Sequence, residues 1–109
     1  MHFSLRVICN RSIVEDVNLR IKALTEHLSL SDSPEFSAYW KDEICMILEI
    51  HADIQRPDYS KIRQYIREIC GTDTLSEHIS PNDWECAYFA PFSALQANED
   101  TAFVVCNIF

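Results

Sequence analysis

The sequence predicts one α+β domain spanning residues 1–109, in which an antiparallel or mixed sheet of about five strands carries two helices on one face. Three observations predict this fold: period-two alternation near the start of the chain, two apolar stripes with helical spacing, and short apolar runs between and after them. The predicted order is strand, helix, strand, strand, helix, strand, strand. That order is typical of a ferredoxin-like split βαβ arrangement with one extra strand.

The first strand and the first helix follow from two different periods. Apolar side chains alternate along the strand at Phe3, Leu5, Val7 and Cys9. Ser12 is followed three residues later by Glu15, a capping-box pattern that predicts the start of a helix. A stripe with spacings of three and four then predicts a helix of about sixteen residues; its members are Ile13, Val17, Ile21, Leu24 and Leu28.

The next two segments predict a hairpin. After a loop at 29–35, Phe36–Trp40 and Ile44–His51 are rich in aromatic and branched residues, and the polar residues 41–43 separate them. One face of the second strand is apolar, whereas the other face includes Glu49 and His51. We therefore expect an open sheet face that is partly polar.

The second helix has a clear start and a clear end. Asp58 is placed to cap its first turn. Its apolar stripe consists of Ile62, Tyr65, Ile66 and Ile69. Gly71, the only glycine in the chain, follows the last apolar turn, where a left-handed residue commonly ends a helix.

The remaining third predicts two further strands. Residues 72–83 contain Ser80-Pro81-Asn82-Asp83 and are predicted to be mostly irregular, with room for a short helical turn at 74–79. Trp84–Ala90 and Thr101–Phe109 are predicted strands. The polar connection at 91–100 between them has room for another helical turn.

Composition predicts a soluble cytoplasmic protein with no membrane contact. Apolar residues form 48% and charged residues 24% of the chain, as in ordinary globular domains. We identify no signal peptide, and no apolar run approaches the ~20 residues of a membrane span. The five cysteines are widely spaced, odd in number and without a C-x-x-C pair, which predicts buried free thiols.

The sequence contains no motif that predicts an enzyme or a cofactor. A chain with one glycine has no phosphate-binding loop, and its four histidines are scattered. Cys45, Glu49 and His51 share one strand face, but alternate residues are about 7 Å apart, too far for one metal ion without ligands from other strands. Acids beside Trp84 lack a nucleophile to act with, so a solvated acidic loop is the simpler interpretation.

The distribution of charge is the main functional signal. The net charge is −8, and residues 1–30 carry four basic against three acidic side chains, so the excess lies in the rest of the chain. After Arg67 there is no Lys or Arg, while seven acids follow: Glu68, Asp73, Glu77, Asp83, Glu85, Glu99 and Asp100. Such a field disfavours direct binding of nucleic acid or anionic lipid and attracts a basic protein. The alternative is that the acidic excess only maintains solubility.

We predict that partner binding is carried by acids of this region with a neighbouring aromatic anchor. The predicted residues are Asp73, Glu77, Asp83, Trp84, Glu85, Glu99 and Asp100. Other aromatic side chains near strand ends are expected mostly in the core, with any exposed pair as an interface anchor; they are Tyr39, Trp40, Tyr88, Phe89 and Phe92.

In these features the chain resembles the immunity proteins of bacterial toxin systems, including those of contact-dependent growth inhibition. The features are a small acidic α+β domain without a catalytic motif, the acidic run from Glu68 to Asp100, and free cysteines. The resemblance implies a bacterial cytoplasmic protein that neutralises a cognate toxin, often a nuclease, by binding it.

Three alternatives remain open. One is an inhibitor that mimics the charge of nucleic acid to bind a basic protein. Another is a ferredoxin-like ligand-binding domain or enzyme that uses the open sheet face. A homodimer through the open face or the C-terminal edge strand is compatible with each of these functions.

Overall fold

The computed structural model describes residues 1–41, 43–72, 74–89, 93 and 102–109. These residues form an antiparallel sheet of six strands with the order β2-β3-β1-β6-β5-β4, together with two helices. In chain order the elements are β1 His2–Asn10, α1 Val14–His27, β2 Glu35–Ala38, β3 Cys45–Asp53, α2 Tyr59–Cys70, β4 Ser76–Ser80, β5 Asp83–Tyr88 and β6 Ala102–Ile108. The predicted α+β class and the two helices are confirmed.

The core lies between the helices and one face of the sheet. β1 is central, and its Leu5 faces Ile50 of β3 and Cys106 of β6 across the ladder. Side chains alternate between the two faces of a strand, so these residues share a face. They form one buried cluster with side chains of both helices, including Val17, Ile21 and Leu24 of α1 and Ile62, Ile66 and Ile69 of α2. The apolar stripes predicted from the sequence are therefore the buried faces of the helices.

The helix ends confirm one predicted cap and correct another. The side chain of Asp58 accepts a hydrogen bond from the Lys61 amide at 3.1 Å, and Gly71 adopts φ 73° after the last turn of α2. The predicted capping box at Ser12 is wrong. A 3-10 turn at Arg11–Ile13 precedes α1, and Asn10 caps this turn. The Asn10 Oδ1 accepts a hydrogen bond from the Ser12 amide at 2.9 Å.

The prediction of about five strands is wrong, since the described residues contain six. The additional strand is β4, in a segment predicted to be irregular. It pairs with β5 through a tight hairpin in which Ser80 faces Asp83, so Pro81 and Asn82 form the turn. β4 is an edge strand whose residues are largely exposed on both faces, so it lacks the apolar alternation that reveals a half-buried strand.

The hairpin predicted around residues 41–43 forms between β2 and β3, with Phe36 facing Leu48. The predicted helical turn within 91–100 lies outside the described residues, apart from position 93.

Candidate functional site

The predicted partner-binding residues that the structure describes converge on one hairpin. Glu77 lies on β4, while Asp83, Trp84 and Glu85 begin β5. The two strands pair directly at one edge of the sheet. Asp73, Glu99 and Asp100 lie outside the described residues. Residues 74–89, which contain the hairpin, include no Lys or Arg.

Trp84 belongs to the core of the hairpin and offers little surface to a partner. Its side chain faces Ile79 of β4 and Ile108 of β6, and the residue is 3% exposed. The indole ring also contacts the Tyr59 ring at the start of α2, with centroids 5.3 Å apart. In this structure Trp84 therefore positions the hairpin against the helix layer.

Glu77 is held by three donors that meet at one carboxylate oxygen. Arg63 of α2 donates through Nε at 3.0 Å and Nη2 at 2.6 Å, and Trp84 donates through its indole nitrogen at 2.8 Å. The hydrogen bonds from Arg63 hold the pKa of the Glu77 carboxyl below its ordinary value, although partial burial acts in the opposite direction. The negative charge of Glu77 is thus compensated within the protein, and the pair anchors β4 to α2.

Asp83 and Glu85 are acids of the hairpin that no described Lys, Arg or His pairs with. Asp83 is exposed and directly follows the hairpin turn, whereas Glu85 is half-buried and faces His78 on β4 and Asn107 on β6. Within the described part of the chain, neither carboxylate takes part in an ion pair. Among the predicted partner-binding acids that the structure describes, these two are available to a basic partner.

An apolar cavity of about 470 Å³ adjoins the hairpin, and we call it the hairpin pocket. Its walls combine apolar side chains with the polar residues of the turn; they are Met1, Tyr59, Arg63, Ile79, Ser80, Pro81, Asn82, Asp83, Trp84, Ile108 and Phe109. Three of the apolar residues are strongly exposed: Ile79 at 70%, and Met1 and Phe109 at 57% each. Exposed apolar side chains gathered around a concavity are typical of an interaction site.

Sequence analysis did not identify Ile79, Met1 or Phe109 as site residues. Pairing of β1 with β6 brings the two ends of the printed sequence together, since the His2 amide donates to the Phe109 carbonyl at 2.6 Å and the Phe109 amide donates back at 2.9 Å. The one signal for Ile79 is that it is a single apolar residue in the polar stretch Ser76–Pro81. A single residue establishes no period, so the pattern does not distinguish this position from a loop.

On the part of the open sheet face formed by β1 and β3, charged side chains contact one another. Glu49 lies 3.3 Å from Nη2 of Arg6 and 3.2 Å from Nε2 of His51. The His51 ring stacks on that of His2 with centroids 5.8 Å apart. Farther along this face Cys45 and Tyr39 are buried in a small apolar cluster, to which Ile8, Ile47 and Phe103 contribute.

The open face brings together only part of the weak metal-ligand set. Glu49 and His51 are adjacent, whereas the Cys45 thiol is buried in the apolar cluster. Across the described residues, no group of three or more His, Cys, Asp or Glu side chains is arranged to hold a metal ion.

The other predicted aromatic anchors divide between core and surface. Tyr39 is buried and Tyr88 half-buried, while Trp40 is 81% and Phe89 is 65% exposed. The ammonium group of Lys41 lies 4.9 Å from the centre of the Trp40 ring, so a positive charge covers this exposed aromatic. Phe92 lies outside the described residues.

All five cysteines are buried and none forms a disulfide bond, as the sequence predicts. Burial raises the pKa of Cys9 to about 12 and that of Cys86 to about 11, and it raises the pKa of Cys106 as well. The thiolate is the reactive form, so these side chains are suited to packing.

Comparisons with known proteins return no relative. No protein-family model matches the chain, and no match is found among curated proteins or solved structures. Within the described ranges, neither helix has the length and apolar character needed to cross a bilayer.

Proposed function

We propose that this protein is an acidic inhibitor that binds a basic protein, of the kind represented by cytoplasmic immunity proteins that neutralise a nuclease-type toxin. The observation that carries the proposal is the composition of the hairpin end: Asp83 and Glu85 form no ion pair with a described residue, and Asp83 lines the hairpin pocket together with exposed Ile79. By contrast, Glu77 of the same hairpin and Glu49 of β3 are paired with arginine.

The electrostatic part of the proposal concerns association more than affinity. An uncompensated acidic surface on a chain of net charge −8 attracts a basic protein over long distances and accelerates encounter. The apolar residues around the hairpin pocket then supply area that is removed from water in the complex. Such a combination suits inhibition of a nucleic-acid-binding enzyme, because its substrate site is basic.

A second candidate function is the binding of a small apolar ligand, and the hairpin pocket favours it. Its volume of about 470 Å³ lies within the usual range of ligand sites, and most of its wall is apolar. This pocket lies at the end of the sheet, whereas the sequence-based alternative placed a ligand on the open face.

We also propose the finer fold assignment, a ferredoxin-like split βαβ unit with additions. Two adjacencies support it: β3 lies between β1 and β2, and β6 lies on the other side of β1. In this interpretation the β4–β5 hairpin is an insertion between α2 and β6, which extends the sheet by two strands.

The function is tested by capturing partners with the tagged full chain in extracts of its native cell at low and moderate salt. We expect one basic protein to be retained at near-stoichiometric level and to be released as salt rises, because screening shortens the range of surface charges to about 10 Å at 0.1 M. A preparation that retains no basic protein at either salt concentration, and instead copurifies with a small apolar molecule, contradicts the inhibitor function and supports the second candidate.

A further inference from the structure

Among the strands that the structure describes, none pairs with the outer edge of β4, the last strand in the sheet order. The strand is five residues long, and four of these residues are exposed. An edge of this kind presents backbone N–H and C=O groups to which an extended segment of another protein can add as a strand.

The two faces of this edge differ in chemistry. On the helix side, Glu77 is neutralised by Arg63, and Ile79 follows it at the rim of the hairpin pocket. On the open side, β4 presents the side chains of Ser76, His78 and Ser80. Behind them on β5 lie the carboxylates of Asp83 and Glu85, which form no ion pair with a described residue.

We propose that β4 binds an extended segment of a partner protein in which apolar and basic side chains alternate, so that the segment becomes a seventh strand of the sheet. Alternation places the apolar side chains of the segment over Ile79 and the hairpin pocket, and the basic side chains on the open side. This inference rests on the proposed function and specifies how the partner is bound.

The spacing of the sheet allows the basic side chains to reach the acids. A strand added to β4 lies two strand spacings, about 10 Å, from β5. A lysine or arginine on one strand and a glutamate on the other span this distance together. Ser80, which lies between the added strand and Asp83, has a small side chain, whereas the ring of His78 lies between the added strand and Glu85.

The opposite edge of the sheet does not fit the same partner. β2 is a four-residue strand, and the exposed Trp40 beyond its end is covered by the positive charge of Lys41. β2 also carries the exposed carboxylate of Glu35, so charge alone does not separate the two edges. The hairpin pocket is at the other end of the strand order, and the apolar side chains of the segment therefore favour β4.

The test uses the full chain, labelled for NMR, and a capped octapeptide of alternating lysine and valine. We expect the peptide to shift resonances of β4 and of the hairpin pocket and to slow hydrogen exchange at alternate β4 amides. Replacing each lysine with glutamate in the peptide should abolish these shifts, since the charge on the open side is then unfavourable.

Two matched variants locate the contact. Ile79→Ser removes an apolar side chain that is 70% exposed, and we expect it to weaken peptide binding about tenfold. Leu19→Ser removes one that is 64% exposed on α1 and should leave the affinity unchanged. Both positions are exposed, so both variants should fold like the unmodified protein.

Three results would overturn the inference. The first is that the peptide shifts only resonances of residues outside β4 and the hairpin pocket. The second is equal binding by the lysine and glutamate peptides. The third is a dimer in which the outer β4 amides already exchange slowly before peptide is added, because the edge would then be occupied by a second copy of the chain. Failure here is distinct from failure of the proposed function, because capture of a salt-sensitive basic partner does not depend on the peptide experiment.

Discussion

Glu77 gives the sharpest test of how the hairpin is attached to the helix layer. Truncation to alanine removes the acceptor of three hydrogen bonds, two from the Arg63 guanidinium and one from the Trp84 indole. The side chains of Arg63 and Glu77 are 28% and 26% exposed, so water replaces part of what is lost. From the range for hydrogen bonds to charged groups, we expect Glu77→Ala to reduce the free energy of unfolding by about 2 kcal/mol.

Urea unfolding followed by fluorescence measures this change, because Trp84 is buried and becomes solvated on unfolding. The slope of the unfolding free energy against urea concentration should be unchanged. In thermal unfolding, the melting temperature of a domain of this size should fall by about 10 °C. Glu85→Ala is the matched control. It removes the same atoms on the adjacent strand, where no ion pair is formed with a described residue, and should change stability by less than about 0.5 kcal/mol.

The effect should also depend on pH. The pKa of Glu77 is lowered from 4.5 in the folded protein, so the folded state binds fewer protons than the unfolded state. Its contribution is fully present above the unfolded pKa of 4.5 and is lost as pH falls through the lower folded value. The difference between unmodified protein and Glu77→Ala should therefore shrink below about pH 4. Equal stability of Glu77→Ala and Glu85→Ala at pH 7 would refute this description of the hairpin.

Three further predictions concern the core and the second helix. The native thiols should resist an aromatic disulfide reagent at pH 8 and react after unfolding, because burial raises the pKa of Cys9 to about 12 and of Cys86 to about 11; rapid reaction of a native thiol would contradict the buried positions. Gly71→Ala should lower the free energy of unfolding by about 1 kcal/mol, since φ 73° is costly for a residue with a Cβ, and an unchanged urea midpoint would contradict that backbone conformation. Ile66→Ala should cost about 3 kcal/mol in the same assay, because this fully buried side chain leaves a cavity between helix and sheet; a loss below 1 kcal/mol would place Ile66 outside a packed core.

The helices and the central strands were predictable because their signals are local and periodic. The stripe of α2 from Ile62 to Ile69, the cap at Asp58 and the left-handed Gly71 all lie within one stretch of sequence. Ser12 misled because its spacing to Glu15 matches a capping box, whereas the side-chain cap in the structure is Asn10, whose Oδ1 accepts from the Ser12 amide.

β4 was not predictable from its own residues. An edge strand exposed on both faces needs no apolar alternation, and its pairing with β5 depends on a turn whose sequence also suits an irregular loop. The fold, and not the local pattern, makes this segment a strand.

The candidate site was predictable in location but not in arrangement. The lack of Lys and Arg after Arg67 pointed to Asp83 and Glu85. It did not distinguish them from Glu77, because the partner of Glu77 is Arg63, fourteen residues away on another element. Trp84 was selected as an anchor for its residue type, and its burial depends on Tyr59 and Ile108, which are distant in sequence.

The central claim is that the uncompensated acids of the hairpin bind a basic partner. Its most direct test compares capture of that partner by Asp83→Asn/Glu85→Gln with capture by Glu43→Gln/Glu68→Gln, a control that removes two exposed acids elsewhere. At about 0.2–1 kcal/mol for each of the two surface pairs, we expect the hairpin variant to bind about twofold to thirtyfold more weakly at low salt and the control to match the unmodified protein. Equal weakening by both variants would show that only the net charge of the protein matters, and not the position of the acids. Undiminished capture by the hairpin variant would contradict the claim.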